Sequence, residues 1–221
     1  MSPETQPLPE VRPLTVLDRL GGWWGIVGTG GPQVVFAMLT NVTSLPVTAG
    51  VALAVAVVFG VIRKLRGEET AAALGGVLGV GIAAGIALWT GSASDFFLVG
   101  VVTSAAFFVP TAGSFVLGRP VTGVLWNALH GGGHPWREDR PSRRAHDLAT
   151  AAAASMFGAR ALISGLLWWT ESVAGLALAR IVLGVPLTAL VALVVFWAFR
   201  RTTHRLVTPA RVAARSTGSS R

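Results

Sequence analysis

Two arginines lie inside apolar stretches of this chain. Arg160 falls in the run 149–168 and Arg180 in the run 175–199. An arginine at the centre of a bilayer costs about 2.5–3.5 kcal/mol on insertion scales, so such residues usually face a bundle interior or a wet cavity. Trp168, Trp169 and Glu171 bracket the turn between the two runs. Counted from that turn, both guanidiniums sit at a similar depth. One chemistry this allows is a paired cationic site for an anionic ligand or a lipid headgroup. The other is structural: each guanidinium snorkels outward or bonds backbone carbonyls and Glu171. A third candidate, Gln33, follows Gly28-Thr29-Gly30-Gly31-Pro32. Glycine weakens a helix and Pro32 cannot donate to the preceding turn, so this segment is expected to interrupt the first apolar run. Broken membrane helices often line transporter sites, and Gln33 would be a polar contact there. The competing reading is a kink with close helix packing. GTGGPQ lacks the Gly-Lys-Ser/Thr ending of a phosphate loop.

Other chemistry is thinly represented. His130 and His134 are four apart, with Glu138, Asp139 and His146 nearby, but Gly131–Gly133 separate the pair and disfavour helical ligand geometry. No HExxH pattern is present, so these histidines are expected in a solvated loop and no metal site is expected. There is no cysteine. Thiolate catalysis and disulfides are excluded. The apolar runs contain no Asp or Glu, which argues against proton-coupled chemistry. No catalytic residue or cofactor is expected, and an enzyme is the least favoured class.

The elements that must position these residues follow from composition. The chain has 221 residues, of which 52% are hydrophobic and only 13% charged, with mean hydropathy +0.63. No soluble fold of this length has enough interior for that apolar content. Six runs, 21–40, 46–62, 71–89, 96–117, 149–168 and 175–199, each match the roughly 20 residues that cross a bilayer as a helix. They lack two-residue alternation, which argues against a barrel. The expected fold is all-α, with six transmembrane helices. Residues 1–13 read as a disordered arm without a signal-peptide pattern, 14–205 as the membrane domain and 206–221 as a basic tail.

Connections between runs alternate in charge. Arg63-Lys64-Leu65-Arg66, the stretch from Arg119 to Arg144 and the tail from Arg200 onward are basic, whereas 41–45, the turn at Asp95 and the turn at Glu171 carry no Lys or Arg. By the positive-inside rule both termini lie in the cytoplasm, in the inner membrane of the cell. The net charge of +8 then reports topology and contact with anionic headgroups, and nucleic acid is not an expected partner.

The long basic connection has internal order. Val121, Val124, Leu125, Ala128 and Leu129 share one helical face, opened by Pro120 and closed by Gly131–Gly133. A short interfacial helix is expected there, with Trp126 near the headgroups, or alternatively a docking face for a partner. Pro110 and Pro186 are expected to kink their spans. Gly75, Gly79, Gly81 and Gly85 form small-xxx-small pairs that pack within the chain or between two copies.

The order Gly30-Gly31-Pro32 before Val34-Val35-Phe36, then Arg63-Lys64-Leu65-Arg66, then Gly118-Arg119-Pro120 resembles the actinobacterial integral-membrane family known as domain of unknown function 3159, over about 14–205. More remotely the chain is similar to the intracellular septation protein A family. Pro32 to Phe36, Arg119-Pro120, Trp136 and Arg180 occupy the places of that family's motifs. The inner loop here is longer, and Arg160 stands near a neutral polar position of that family. The resemblance implies a role in envelope or division-site maintenance through lipid or protein partners, without a catalytic mechanism.

Overall fold

A computed structural model describes residues 22–68 and 70–208, with side chains described from residue 30 onward, residue 72 apart. The arm and most of the tail expected at the two ends lie outside the described residues. Among those described, eight α-helices follow in order: α1 (Gly22–Leu39), α2 (Leu45–Leu65), α3 (Thr70–Thr90), α4 (Leu98–Val116), α5 (Val121–Leu129), α6 (Arg140–Trp169), α7 (Val173–Val182) and α8 (Val185–Leu206). A 3-10 turn over Ser94–Phe97 precedes α4.

Among the described residues, five stretches are long and apolar enough to cross a bilayer: Leu45–Leu65, Ala73–Thr90, Ser94–Val116, Arg140–Trp169 and Val173–Leu206. In none is more than 28% of the apolar part buried inside the protein. Leu78, Ile82, Val109, Leu162 and Leu190 point outward instead. Such a surface is stable only in lipid, where helices satisfy their own backbone. The chain is a multi-pass membrane protein. The sixth expected span is α1, whose described apolar part, Gly30–Leu39, is shorter than a crossing.

The interruption expected at 28–33 is absent: α1 runs unbroken through Pro32. Close packing accounts for the glycine there. A Cβ on Gly31 would stand 3.1 Å from the Phe59 ring of α2. Pro110 likewise lies inside a continuous α4. The discontinuity occurs in the last span, between α7 and α8, where Pro186 opens a new helix rather than bending an old one.

The helices form two halves. Helix α2 packs on α1 and α3, and α6 packs on α4 and α8. The halves meet at one end, where α7 leans on α1 and the 3-10 turn leans on α3. The contact there is apolar. Phe36 of α1 stacks on Phe96 at 3.9 Å and meets Phe97 edge-on at 6.2 Å. Leu176 of α7 and the alanines Ala52, Ala84 and Ala87 complete this cluster. Asp95 ties the 3-10 turn to α6 by accepting from Trp168 Nε1 at 2.7 Å. We call this the plug end. The opposite end carries the Arg63–Glu68 turn.

Helix α6 starts nine residues before the run read from hydropathy, because Asp139 caps it. Its carboxylate accepts from Ser142 N at 3.2 Å and Ser142 Oγ at 2.5 Å. The thirty residues reach about 45 Å at 1.5 Å per residue, well beyond a hydrocarbon core of about 30 Å. The extra turns receive α5. Its predicted apolar face (Val121, Val124, Leu125, Leu129) stays exposed, and its other face packs on α6. Trp126 belongs to that inner face and is fully buried, not at headgroup level. Its indole donates to Thr203 Oγ1 of α8 at 3.0 Å and stacks on His130 at 4.5 Å. Trp136 closes the cluster and occupies the space a Cβ on Gly123 would need. Pro120 sits at the N-cap of α5, and Arg119 before it is exposed.

Asp139 also clamps α8, accepting from Arg205 Nε at 2.9 Å and Nη2 at 2.8 Å. The Arg205 bonds, then those from Ser142, hold its carboxyl well below the usual carboxylate range. A depressed carboxyl contributes stability above its unfolded value, about 4, and loses it as pH falls through the folded value. Asp139→Asn should lower the thermal unfolding temperature in detergent at pH 7. The gap from the parent should narrow as pH drops below about 4; a constant gap would mean that the charge contributes nothing.

Candidate intramembrane anion site

The described structure brings Gln33, Arg160 and Arg180 to one cavity of about 600 Å³ between the two halves. That volume lies within the range of small-ligand sites. Helices α1 to α4 and α6 to α8 all contribute walls. Phe96, Phe97 and Leu176 line the cavity at the plug, and Arg63, Ala73 and Gly76 line it near the α2–α3 turn. Its described lining holds guanidiniums, hydroxyls (Thr103, Ser104, Ser164, Thr188) and the Gln33 amide, without a carboxylate or an imidazole.

Arg160 projects from α6 onto the α7–α8 break. A continuous helix through this region would need a donor at 186, and proline has none. Gly184 is required for another reason: a Cβ there would run into the Arg180 carbonyl. One side chain bonds both carbonyls at the break, of which Gly184 O also accepts from Thr188 N at 3.1 Å as the N-cap of α8. Arg160 Nε donates to Leu183 O at 2.5 Å, and Nη2 donates to Gly184 O at 2.5 Å and Thr188 Oγ1 at 2.6 Å. Thr188 Oγ1 in turn donates to Gly184 O at 2.7 Å. Of the two roles open to Arg160, the described bonds are those of the structural one, made to carbonyls and not to Glu171.

Arg180 differs. It sits in the last turn of α7, and its guanidinium lies against the backbone of Gly100 on α4, where any Cβ would collide with it. Among the described residues it has no hydrogen-bond or ion-pair partner. Arg63 at the far end of the cavity is engaged, its Nε donating to Glu68 Oε2 at 2.7 Å. Gln33 lines the cavity, while its Oε1 is buried with no described partner. Phe107 and Phe157, stacked at 5.3 Å, give the middle of the cavity an aromatic wall.

Several of these features lie beyond sequence reasoning. Gly100 carries no local signal, since its role depends on a guanidinium eighty residues away. Gly184 has one, the spacing Gly-Val-Pro in an apolar run. With α1 continuous, the glycines of α3 form the open wall: Gly75 and Gly79 line the cavity, and a Cβ on either would meet nothing within 4 Å, as would one on Gly85. Gly81 does pack, at 3.8 Å from Leu53. His146, expected in a solvated loop, is fully buried, with Nε2 3.1 Å from Thr202 Oγ1. The described residues hold no cluster of three or more metal-ligating side chains.

A family model described as a protein of unknown function, DUF3159, matches residues 20–206. Among curated proteins and among solved structures nothing matches.

The two arginines should separate on substitution. Arg160→Leu strands the Leu183 carbonyl and should lower stability by about 1–3 kcal/mol, seen as a lower unfolding temperature and reduced abundance in the membrane. Arg180→Leu should leave both nearly unchanged. Equal losses for the two variants would show that Arg180 also holds the fold.

Proposed function

The chain belongs to the DUF3159 family, and we propose that it acts by binding an anionic group, a phosphate or carboxylate, in its intramembrane cavity. The observation that carries this is Arg180: a guanidinium lining a cavity with no acid in its described wall. A charge in such surroundings is stabilised by an opposite charge, and arginine presents a planar fork suited to phosphate and carboxylate. Gln33 and the hydroxyls of Thr103 and Ser164 are placed to add neutral hydrogen bonds. Arg160 supports the site by fixing the break from which Arg180 projects. The aromatic and aliphatic walls suit a ligand with an apolar portion, so lipid headgroups and free anions share the chemistry.

In this reading the protein is not an enzyme. The envelope- or septum-maintenance role that the resemblance implies would be exercised through binding. The proposed topology has six spans, with α1 as the first, both termini and the Arg63 end on the cytoplasmic face, and α5 lying on that surface with its exposed apolar face toward lipid. Tags at residue 1 and residue 221 should then both be protected in intact cells, while a tag at Asn41 is accessible. Accessibility of either terminus would overturn the topology.

Binding is measured on purified protein by native mass spectrometry and by tryptophan-fluorescence titration. Inorganic phosphate, acetate and phosphatidylglycerol in mixed micelles serve as probes. At least one should bind, and Arg180→Leu should weaken it about 10- to 100-fold, the scale of a charge-assisted hydrogen bond. Retention of phosphatidylglycerol alone identifies a headgroup as the source, and response to inorganic phosphate or acetate identifies a free anion. Binding that Arg180→Leu leaves unchanged would remove the cavity from the function.

A further inference from the structure

Phe96, Phe97 and Leu176 line the cavity at the plug, and the way the two halves meet there points beyond binding. At the plug the two halves touch through rings and small apolar side chains: Phe36 on Phe96 and Phe97, with Leu176 beside them. The described side-chain bonds that lock one element to another lie within the second half, including Trp168 to Asp95, which holds the 3-10 turn of the plug to α6 without crossing to the first half. Others are Thr122 to Thr150, Trp126 to Thr203, His146 to Thr202 and Arg160 to the α7–α8 break. Apolar contacts of this kind are non-directional, so they can part and re-form without leaving backbone groups unpaired.

The element at the seam is α7. It is a ten-residue half-helix, packed on α1 of one half and on α6 of the other, and it ends at the two-residue break Leu183–Gly184. The same short element carries Leu176 of the plug and Arg180 of the site, four residues or roughly one turn apart. A movement of α7 about the break therefore couples the charge to the closure. Arg160 holds the carbonyls at the pivot, so α8 keeps its place while α7 turns. Discontinuous helices at the ligand site, set between two bundles that rock about it, recur in many carriers that work by alternating access.

We infer that the chain is a carrier for the anion bound at Arg180: the described state opens toward the Arg63 end, and a second state opens through the Phe36–Phe96 plug. This rests on the site reading above. The transported species is an anion small enough for about 600 Å³, either a free carboxylate or phosphate or an anionic amphiphile.

The absence of native cysteine makes the test direct, since each introduced thiol is the sole one. Gly75→Cys and Gly79→Cys place thiols on the cavity wall, each where an added side chain stands in open space. The full-length protein is kept in sealed vesicles and treated with a membrane-impermeant maleimide from each face in turn. Asn41→Cys, in the turn at the plug end, marks that face. A carrier shows both wall positions labelled from both faces, and Phe36→Ala raises the rate from the plug face at least threefold. Labelling from the Arg63 face alone, in protein that still binds anion in an Arg180-dependent way, overturns the carrier and leaves the binding site standing. Labelling from both faces that Phe36→Ala does not accelerate overturns the assignment of the plug as the gate. If Arg180→Leu leaves anion binding unchanged, the site reading fails first and the carrier with it. Two wall positions are used so that a folding defect at one does not decide the result.

Discussion

The arrangement depends on one side chain meeting one set of backbone oxygens. The last membrane crossing is cut at Leu183–Gly184, and lipid offers no water to satisfy the carbonyls that the cut sets free. Arg160 supplies the donors from the neighbouring helix. Its own charge is in turn solvated by those dipoles, so two costs that would each be prohibitive alone cancel each other. Once the cut is stable, α7 can take a direction of its own. It rests on α1 as well as on α6, which carries Arg180 and Leu176 to the seam.

The remaining fold divides into places where packing is specific and a place where it is withheld. At the α5–α6–α8 junction, Gly123 admits the Trp136 ring, Trp126 is fully buried, and Asp139 both starts α6 and grips Arg205. At the plug, three phenylalanines pack within a few ångströms of one another. Between these regions the wall of α3 is glycine, with no side chain to reach across. A helix that keeps glycine where leucine would fill the space forgoes dispersion and burial. Gly75 and Gly79 thus maintain the cavity by what they lack, and Gly31 and Gly60 of the adjacent helices are instead filled against Phe59 and Val77.

Much of this is legible in the sequence, for identifiable reasons. Span lengths follow from bilayer thickness, so the apolar runs predict α2, α3 and α4 closely and the membrane part of α6 and α7–α8, but not the nine residues by which Asp139 extends α6. The face of α5 is readable from its 3.6-residue period. Gln33, Arg160 and Arg180 stand out because polar groups in apolar runs are costly, and the fold gathers them around one cavity. What the sequence hides turns on tertiary contact. Glycine and proline weaken helices in water, but in a bilayer the backbone has no alternative partner, so α1 stays whole through Pro32. Tryptophan favours interfaces, which points Trp126 to the headgroups, yet its indole N–H finds Thr203, seventy-seven residues on. No periodicity within a helix encodes such a partner, and the same holds for Gly100 and the guanidinium it admits.

The contrast between the two arginines is itself an argument about what Arg180 is for. Both line one cavity, Arg160 half-buried and Arg180 more exposed, yet the chain provides Arg160 with three acceptors and Arg180 with none among the described residues. If the fold needed only a long side chain at position 180, leucine would supply it without a charge. The backbone opposite is instead kept bare at Gly100 so that the guanidinium can lie there. Space reserved for a charge whose described surroundings hold no counterion is consistent with a partner that comes from outside the chain. Arg180 projects from the half-helix beyond the pivot, so whatever neutralises it also acts on the element that joins the two halves.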